Sequence, residues 1–361
     1  MRTVVQLVLL VSVAEAALCL LVLCVVRVVR NRRERALTGT ATATRQLVVE
    51  TAGGESPSAR AALAALDGRS WQAVEPTVTR LLSRVKGGSH RALTDVLVQR
   101  GVVDAALAHA ARPRSLRRAR AATLLALAGP SLRTDPVRGP EARRVLHALL
   151  GHRSVTVRET AVRALGRLGD SVSAGLLLTT VNAPRPVAPG LIGDALVRIG
   201  PAAVEALTAA AGDGDEQHRA LAVELLGLIK DRRAVPALSA ALHDGAPMVR
   251  AAAAAALGRV GEPAAVAALA DTVRTDPSGR VVVAAAEALG LIGDDSAVPA
   301  LQQTLRHRPY RAAHTAARAL LRLGPPGRTV LTDAARGSDP AGAHAREALS
   351  LTPDHRGGPG T

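Results

Sequence analysis

The chain has 361 residues, 48% apolar and 21% charged, with a formal net charge of +16, no Phe, one Trp (Trp71) and one Tyr (Tyr310). Its core must be built from Leu, Val and Ala, in one large or two ordinary domains. Sites that work by ring stacking, such as single-strand nucleic-acid platforms and planar-cofactor pockets, are disfavoured. Both cysteines, Cys19 and Cys24, lie in the N-terminal apolar run, which excludes a disulfide framework or a cysteine-held metal elsewhere. The basic residues are 44 Arg against two Lys, a bias that reads as GC-rich coding as much as selection for guanidinium chemistry.

Val4 to Val26 is broken only by Gln6, Ser12 and Glu15. As a helix it would reach about 35 Å, more than a hydrocarbon core of about 30 Å. Ala14-Glu15-Ala16 resembles a cleavage site, but the apolar run continues past it, so residues 1–35 are expected to be an uncleaved transmembrane anchor with a basic flank. Arg27, Arg30, Arg32, Arg33 and Arg35 follow the span, which puts the N-terminus outside and the rest in the cytoplasm. Glu15 at mid-span costs roughly 2.5–3.5 kcal/mol unless neutral or paired. Ser12, Glu15, Ala16 and Cys19 share one helical face and form a candidate intramembrane contact, the alternative being a neutral Glu tolerated by a very apolar helix.

Residues 36–58, rich in Thr, Gly and Ser, read as a flexible linker. Beyond it the chain repeats. Leu165, Leu196, Leu226, Leu257, Leu289 and Leu320 recur at steps of 31, 30, 31, 32 and 31 residues, with fainter copies at Leu97 and Leu125 and a half unit at Leu349. So regular a period predicts an all-α solenoid of about eight stacked helical hairpins over residues 59–352, clearest over 154–324, followed by a disordered tail at 353–361. The stretch from Pro130 to Pro140 is read as an inserted loop. Within each unit Gly169, Gly200, Gly261, Gly293 and Gly324 stand where a first helix must stop. Asp170, Asp231, Asp294 and Asp295 are candidate caps, and Pro236 and Pro299 suit the first turn of a second helix.

The segments PMVRAAAAAALGRVGEPAAVAALADTV and VVVAAAEALGLIGDDSAVPALQQTL resemble HEAT repeats, in the short bacterial form often called PBS-lyase HEAT-like repeats. The resemblance runs from residue 90 to 351 and is specific for fold, while such solenoids serve many kinds of binding. It also implies an Arg seven residues before the aligned Leu. Arg118, Arg158, Arg219 and Arg250 match, whereas Pro189, Val282 and Ala313 do not. These are read as a structural ladder in which Arg158, Arg219 and Arg250 reach turn carbonyls or a neighbouring turn's Asp, with Asp170, Asp231 and Asp294 as the carboxylates.

Catalytic motifs are missing from the sequence. Neither Lys86 nor Lys230 has a phosphate-loop context, and HExxH and GxSxG do not occur. The ten His are scattered, so neither a metal nor another cofactor is expected. The di-iron hydroxylases of this fold use His-Glu dipeptides, and no His here precedes Glu; nothing suggests a bilin-lyase pigment pocket; Trp71 lies outside the regular repeats where a glycosylase-like site would need it. Asp213, Asp215 and Glu216 read as ordinary caps.

Charge is uneven: residues 1–200 hold 29 basic and 13 acidic residues, whereas residues 201–300 hold 8 and 13. The positive half suits an anionic membrane surface. Arg112, Arg114, Arg117, Arg118 and Arg120 form a candidate lipid or partner patch, and Arg306, Arg308, Tyr310 and Arg311, with His307, a candidate recognition patch. The expected function is a non-enzymatic, membrane-anchored scaffold or accessory subunit that binds a protein partner, an integral membrane protein included, on a concave face lined by second helices. The resemblance extends this to single-anchor accessory subunits of membrane assemblies such as glycosyltransferases. Nucleic-acid binding, which would fall steeply with salt, and a HEAT-type lyase or other enzyme are the alternatives.

Overall fold

A computed structural model of the chain describes residues 44–53, 56–112, 117–181, 184–307 and 309–351. The expected anchor, with Ser12, Glu15, Ala16 and Cys19, lies outside them, as do Arg114, Arg308 and residues 352–361. Among the described residues no helix is long and apolar enough to cross a membrane. All regular structure described is helical, in two compact units, Met1–Ser131 and Leu132–Thr361.

In the first unit α1 covers residues 44–53, so part of the segment read as a flexible linker is helical. It is followed by α2 (Pro57–Ala64), α3 (Gly68–Leu82), α4 (Gly87–Gln99) and α5 (Val102–Ala111). Helix α4 packs on α2, α3 and α5, and the aligned Leu97 is buried. Trp71 belongs to this core, with the Arg100 guanidinium 4.4 Å from its ring centre. Arg100 Nη1 also donates to the carbonyls of Ala64 and Leu66 at 2.7 and 2.8 Å, closing the α2–α3 turn. Helix α6 (Arg118–Leu132) runs on through Pro130, and α7 (Arg138–Leu150), which belongs to the second unit, already contains Pro140. The loop expected over Pro130 to Pro140 therefore shrinks to residues 133–137: Pro140 is the third residue of α7, where an N–H has no intrahelical partner, and Pro130, two residues from the end of α6, forfeits a single bond.

In the second unit first helices α8 (Val155–Leu168), α10 (Pro189–Ile199), α12 (Glu216–Ile229), α14 (Pro247–Val260), α16 (Gly279–Ile292), α18 (Tyr310–Arg322) and α20 (Pro340–Ser350) pack each against the next. Second helices α9 (Ser171–Thr179), α11 (Val204–Ala211), α13 (Val235–Ala241), α15 (Val266–Thr275), α17 (Val298–His307) and α19 (Pro325–Ala335) connect them. Leu165, Leu196, Leu226, Leu257, Leu289 and Leu320 are all 0% exposed, and each such burial is worth about 1.5–3 kcal/mol. The stops fall where the sequence places them: Gly261 and Gly293 take a left-handed conformation at φ 78° and send their N–H to Leu257 and Leu289. Lys230 occupies the same position at φ 58°.

First helices touch through glycine. A Cβ added to Gly227, Gly258 or Gly290 would lie 2.6, 2.8 and 2.8 Å from the Cα of Ala256, Ala288 and Ala319 on the next first helix. These three positions therefore admit nothing larger than hydrogen, and the approach fixes the register of the stack.

Candidate functional site

The expected Arg ladder forms, with different carboxylates. Arg219 Nε and Nη2 donate to Asp244 at 2.8 and 2.9 Å while Nη1 reaches the Gly214 carbonyl at 2.7 Å. Arg250 repeats the arrangement one unit on, with Nε 2.7 Å from Asp276 and Nη1 2.9 Å from the Asp244 carbonyl. Each Asp also accepts from the backbone two residues ahead, Asp244 from Ala246 at 2.8 Å and Asp276 from Ser278 at 2.7 Å. The hydrogen bonds from Arg219 hold the Asp244 carboxyl below the usual carboxylate range, and the Asp276 pairing raises Arg250. The turns before successive first helices are thus tied together. Arg158, 8% exposed, donates only to carbonyls in the described structure: His152 at 2.8 Å, Arg153 at 3.2 Å and Pro186 at 3.3 Å.

Asp170, Asp231 and Asp294 are not the ladder's carboxylates. They open the second half of their units, accepting from the N–H of Ser173 at 2.7 Å, Arg233 at 2.9 Å and Ser296 at 2.9 Å. Asp170 additionally takes Arg143 at 2.8 Å, and Asp231 takes the Arg233 side chain at 2.6 Å. The reason is geometric: a guanidinium in the second turn of a first helix faces the turns at that helix's N-terminal end, whereas these aspartates cap the other end. The true partners were legible in DGAPMVR, where Asp244 stands six residues before Arg250.

The outer face of the first helices carries a groove of about 650 Å³ running across α12, α14 and α16. It is lined at equivalent positions by Gln217, Met248 and Arg280, then Ala220, Ala251 and Val283, then Leu221, Ala252 and Ala284, then Glu224, Ala255 and Glu287. These positions lie on the side of each helix opposite the buried Leu226, Leu257 and Leu289. This groove is built by first helices and is distinct from the second-helix face expected to hold a partner. Arg259 also lines the groove, and its buried Nε has no hydrogen-bond partner in the described structure. Leu228 and Leu291 hold the same register as Arg259 on the flanking helices and are 46% and 52% exposed. Further along that register Arg167 is lowered by its own burial and then by the nearby Arg198 charge.

The basic patch in the first unit is divided. Arg112, Arg117 and Arg120 are exposed, but Arg120 pairs with Glu75 at 2.8 Å and Arg118 Nε donates to the Arg112 carbonyl at 2.7 Å. In the other patch Arg306 and Arg311 are exposed, and Tyr310, 68% exposed, packs edge-on to His344 with ring centres 4.7 Å apart. Reading His residues one at a time along the sequence missed what this brings together: His314, His344 and Glu347, whose donor atoms lie within 4.8 Å of one another. Their signal was a spacing of 30 residues between His314 and His344, about one repeat period.

The family pattern of HEAT repeats matches residues 204–289 and 273–350. This part of the chain is similar to HEAT repeats. It contains the groove, the Arg219 to Asp276 ladder and the histidine group. Among curated proteins none matches. Similar solved structures include an engineered protein (19% identity, 84% of this chain and 98% of that one, TM-score 0.38). Importin beta, crystallised in an ammonium sulfate condition, is 15% identical over 85% of this chain and 48% of its own, TM-score 0.45, so this chain spans about half its length. Human deoxyhypusine hydroxylase is 19% identical over 80% and 98%, TM-score 0.32.

Proposed function

We propose that the chain is a membrane-anchored, non-enzymatic HEAT-repeat scaffold whose first-helix groove seats a segment of a protein partner at the cytoplasmic face. The groove across α12, α14 and α16 carries this reading. Its floor is alanine, so a partner's side chains can enter, while Glu224, Glu287 and Arg280 supply charged positions along it. Arg259 adds a guanidinium to the lining, though its Nε is buried. The glycine contacts and the Arg–Asp ladder keep the groove rigid before binding, which lowers the ordering cost of association. The apolar span Val4 to Val26, with its trailing arginines, supports placement at the membrane. Exposed Arg112 and Arg117 favour an anionic surface.

The test is in-cell crosslinking, detergent purification and mass spectrometry of wild type, Ala255→Trp and Glu15→Leu. Position 255 shares its register with Glu224 and Glu287, so the stack accepts a larger side chain there while the groove is filled. A stoichiometric protein lost with Ala255→Trp supports the groove, and its loss with Glu15→Leu as well adds the anchor to the contact. An unchanged set of proteins with Ala255→Trp, or recovery of lipid or nucleic acid alone, overturns the reading.

A further inference from the structure

The end of the second unit gathers a second set of functional groups, remote from the groove. His314 projects from the second turn of α18, and His344 and Glu347 project from α20 three residues apart, so they share one face of that helix. Glu347 Oε2 lies 3.3 Å from His314 Nδ1 and 4.0 Å from His344 Nδ1. His344 is buried at 5% exposure, whereas the His314 and Glu347 side chains are 29% and 50% exposed, so the group is anchored in the protein and opens to solvent on one side. Tyr310 braces both rings, stacked with His314 at 6.1 Å and edge-on to His344 at 4.7 Å.

Tetrahedral zinc bound at about 2.0–2.2 Å places neighbouring ligand atoms about 3.3–3.5 Å apart. The carboxylate already stands at 3.3 and 4.0 Å from the two imidazole nitrogens. The two carboxylate edges thus lie within about 1 Å of that spacing, and all three donor atoms lie within 4.8 Å of one another. Two imidazole nitrogens and one carboxylate oxygen suit zinc and its transition-metal neighbours, while magnesium and calcium prefer oxygen alone. Two neutral rings and one carboxylate leave a bound dication one positive charge in excess, and three protein ligands leave its fourth position for water.

We propose that His314, His344 and Glu347 form a three-ligand zinc-type site with a solvent-facing fourth position. The site clasps α20 onto α18, since its ligands come from both helices. It shares no residue with the groove of α12, α14 and α16.

The experiment is titration of the full-length chain, purified in detergent and stripped with chelator, using Zn²⁺ alone against a chromophoric competitor. Co²⁺ in place of zinc reads the coordination number through its visible spectrum. One equivalent of Zn²⁺ should bind with a micromolar or tighter Kd, and Co²⁺ should give intense four-coordinate bands. Glu347→Gln, which preserves shape, and His314→Ala, at a partly exposed position, should each weaken zinc binding at least tenfold while far-UV circular dichroism stays unchanged. His243→Ala, at an exposed site elsewhere, should leave Kd as it is. Absence of a stoichiometric site, or a site whose Kd is unmoved by both Glu347→Gln and His314→Ala, would show the group to be an ion-pair cluster and overturn the proposal.

Discussion

Replacing Gly258 by Ala is expected to destabilise the second unit, against the usual direction for a helical glycine. In an open helix interior the change gains about 1 kcal/mol. Here the new Cβ would lie 2.8 Å from the Cα and 2.9 Å from the Cβ of Ala288, where carbons rest at about 3.5–4.0 Å. The clash involves backbone, so α14 and α16 must separate instead of a side chain turning aside. Overpacking of this kind costs about 1–3 kcal/mol; with two whole helices displaced the upper part of that range applies, and the net loss is about 1–2 kcal/mol. Gly175 in α9 is the control, since nothing stands within 4 Å of an added Cβ there. Thermal unfolding of the full-length chain, followed by circular dichroism, should show Tm lowered by several degrees for Gly258→Ala and slightly raised for Gly175→Ala, at about 2–4 °C per kcal/mol. Adding Ala288→Gly should recover only part of the loss, because removing that methyl leaves the backbone of α16 still in the way. A rise in Tm for Gly258→Ala equal to that of Gly175→Ala would refute the claim that glycine contact sets the spacing of the first helices.

Lys230→Gly should stabilise the chain by about 0.5–1 kcal/mol by relieving a left-handed residue; an unchanged Tm would argue against strain at that turn. Asp244, held below the ordinary carboxylate range by Arg219, contributes stability that is complete above its unfolded pKa and is lost as pH falls through the lower folded value. Acid unfolding should therefore steepen below about pH 4, and Arg219→Gln should flatten that slope; identical slopes would contradict the pairing. Carbonate extraction of cell membranes should leave the full chain in the pellet and a variant beginning at residue 36 in the supernatant. Release of the full chain would dismiss the anchor.

Much of the fold was legible because it is local and repeated. The six aligned leucines are buried without exception, and Gly261 and Gly293 end their helices through the left-handed turn that their sequence context demands. What failed was the assignment of partners between units. Asp231 and Asp244 both lie near a helix start, and only the direction in which Arg219 leaves α12 decides that Asp244 receives it. A linear reading of histidines failed likewise, since His314 and His344 become neighbours only when one repeat is laid on the next.

The groove has a different origin again, a break in the repeat. At the register where α12 presents Leu221 and Glu224, and α16 presents Val283 and Glu287 nearby, α14 presents Ala251, Ala252 and Ala255. The small middle helix is the floor and the larger side chains beside it are the walls. The same run of alanines that made PMVRAAAAAALGRV easy to recognise as a first helix is therefore what opens a site on its outer face. The groove thus arises from a departure from the period, displayed on the frame that the period itself supplies.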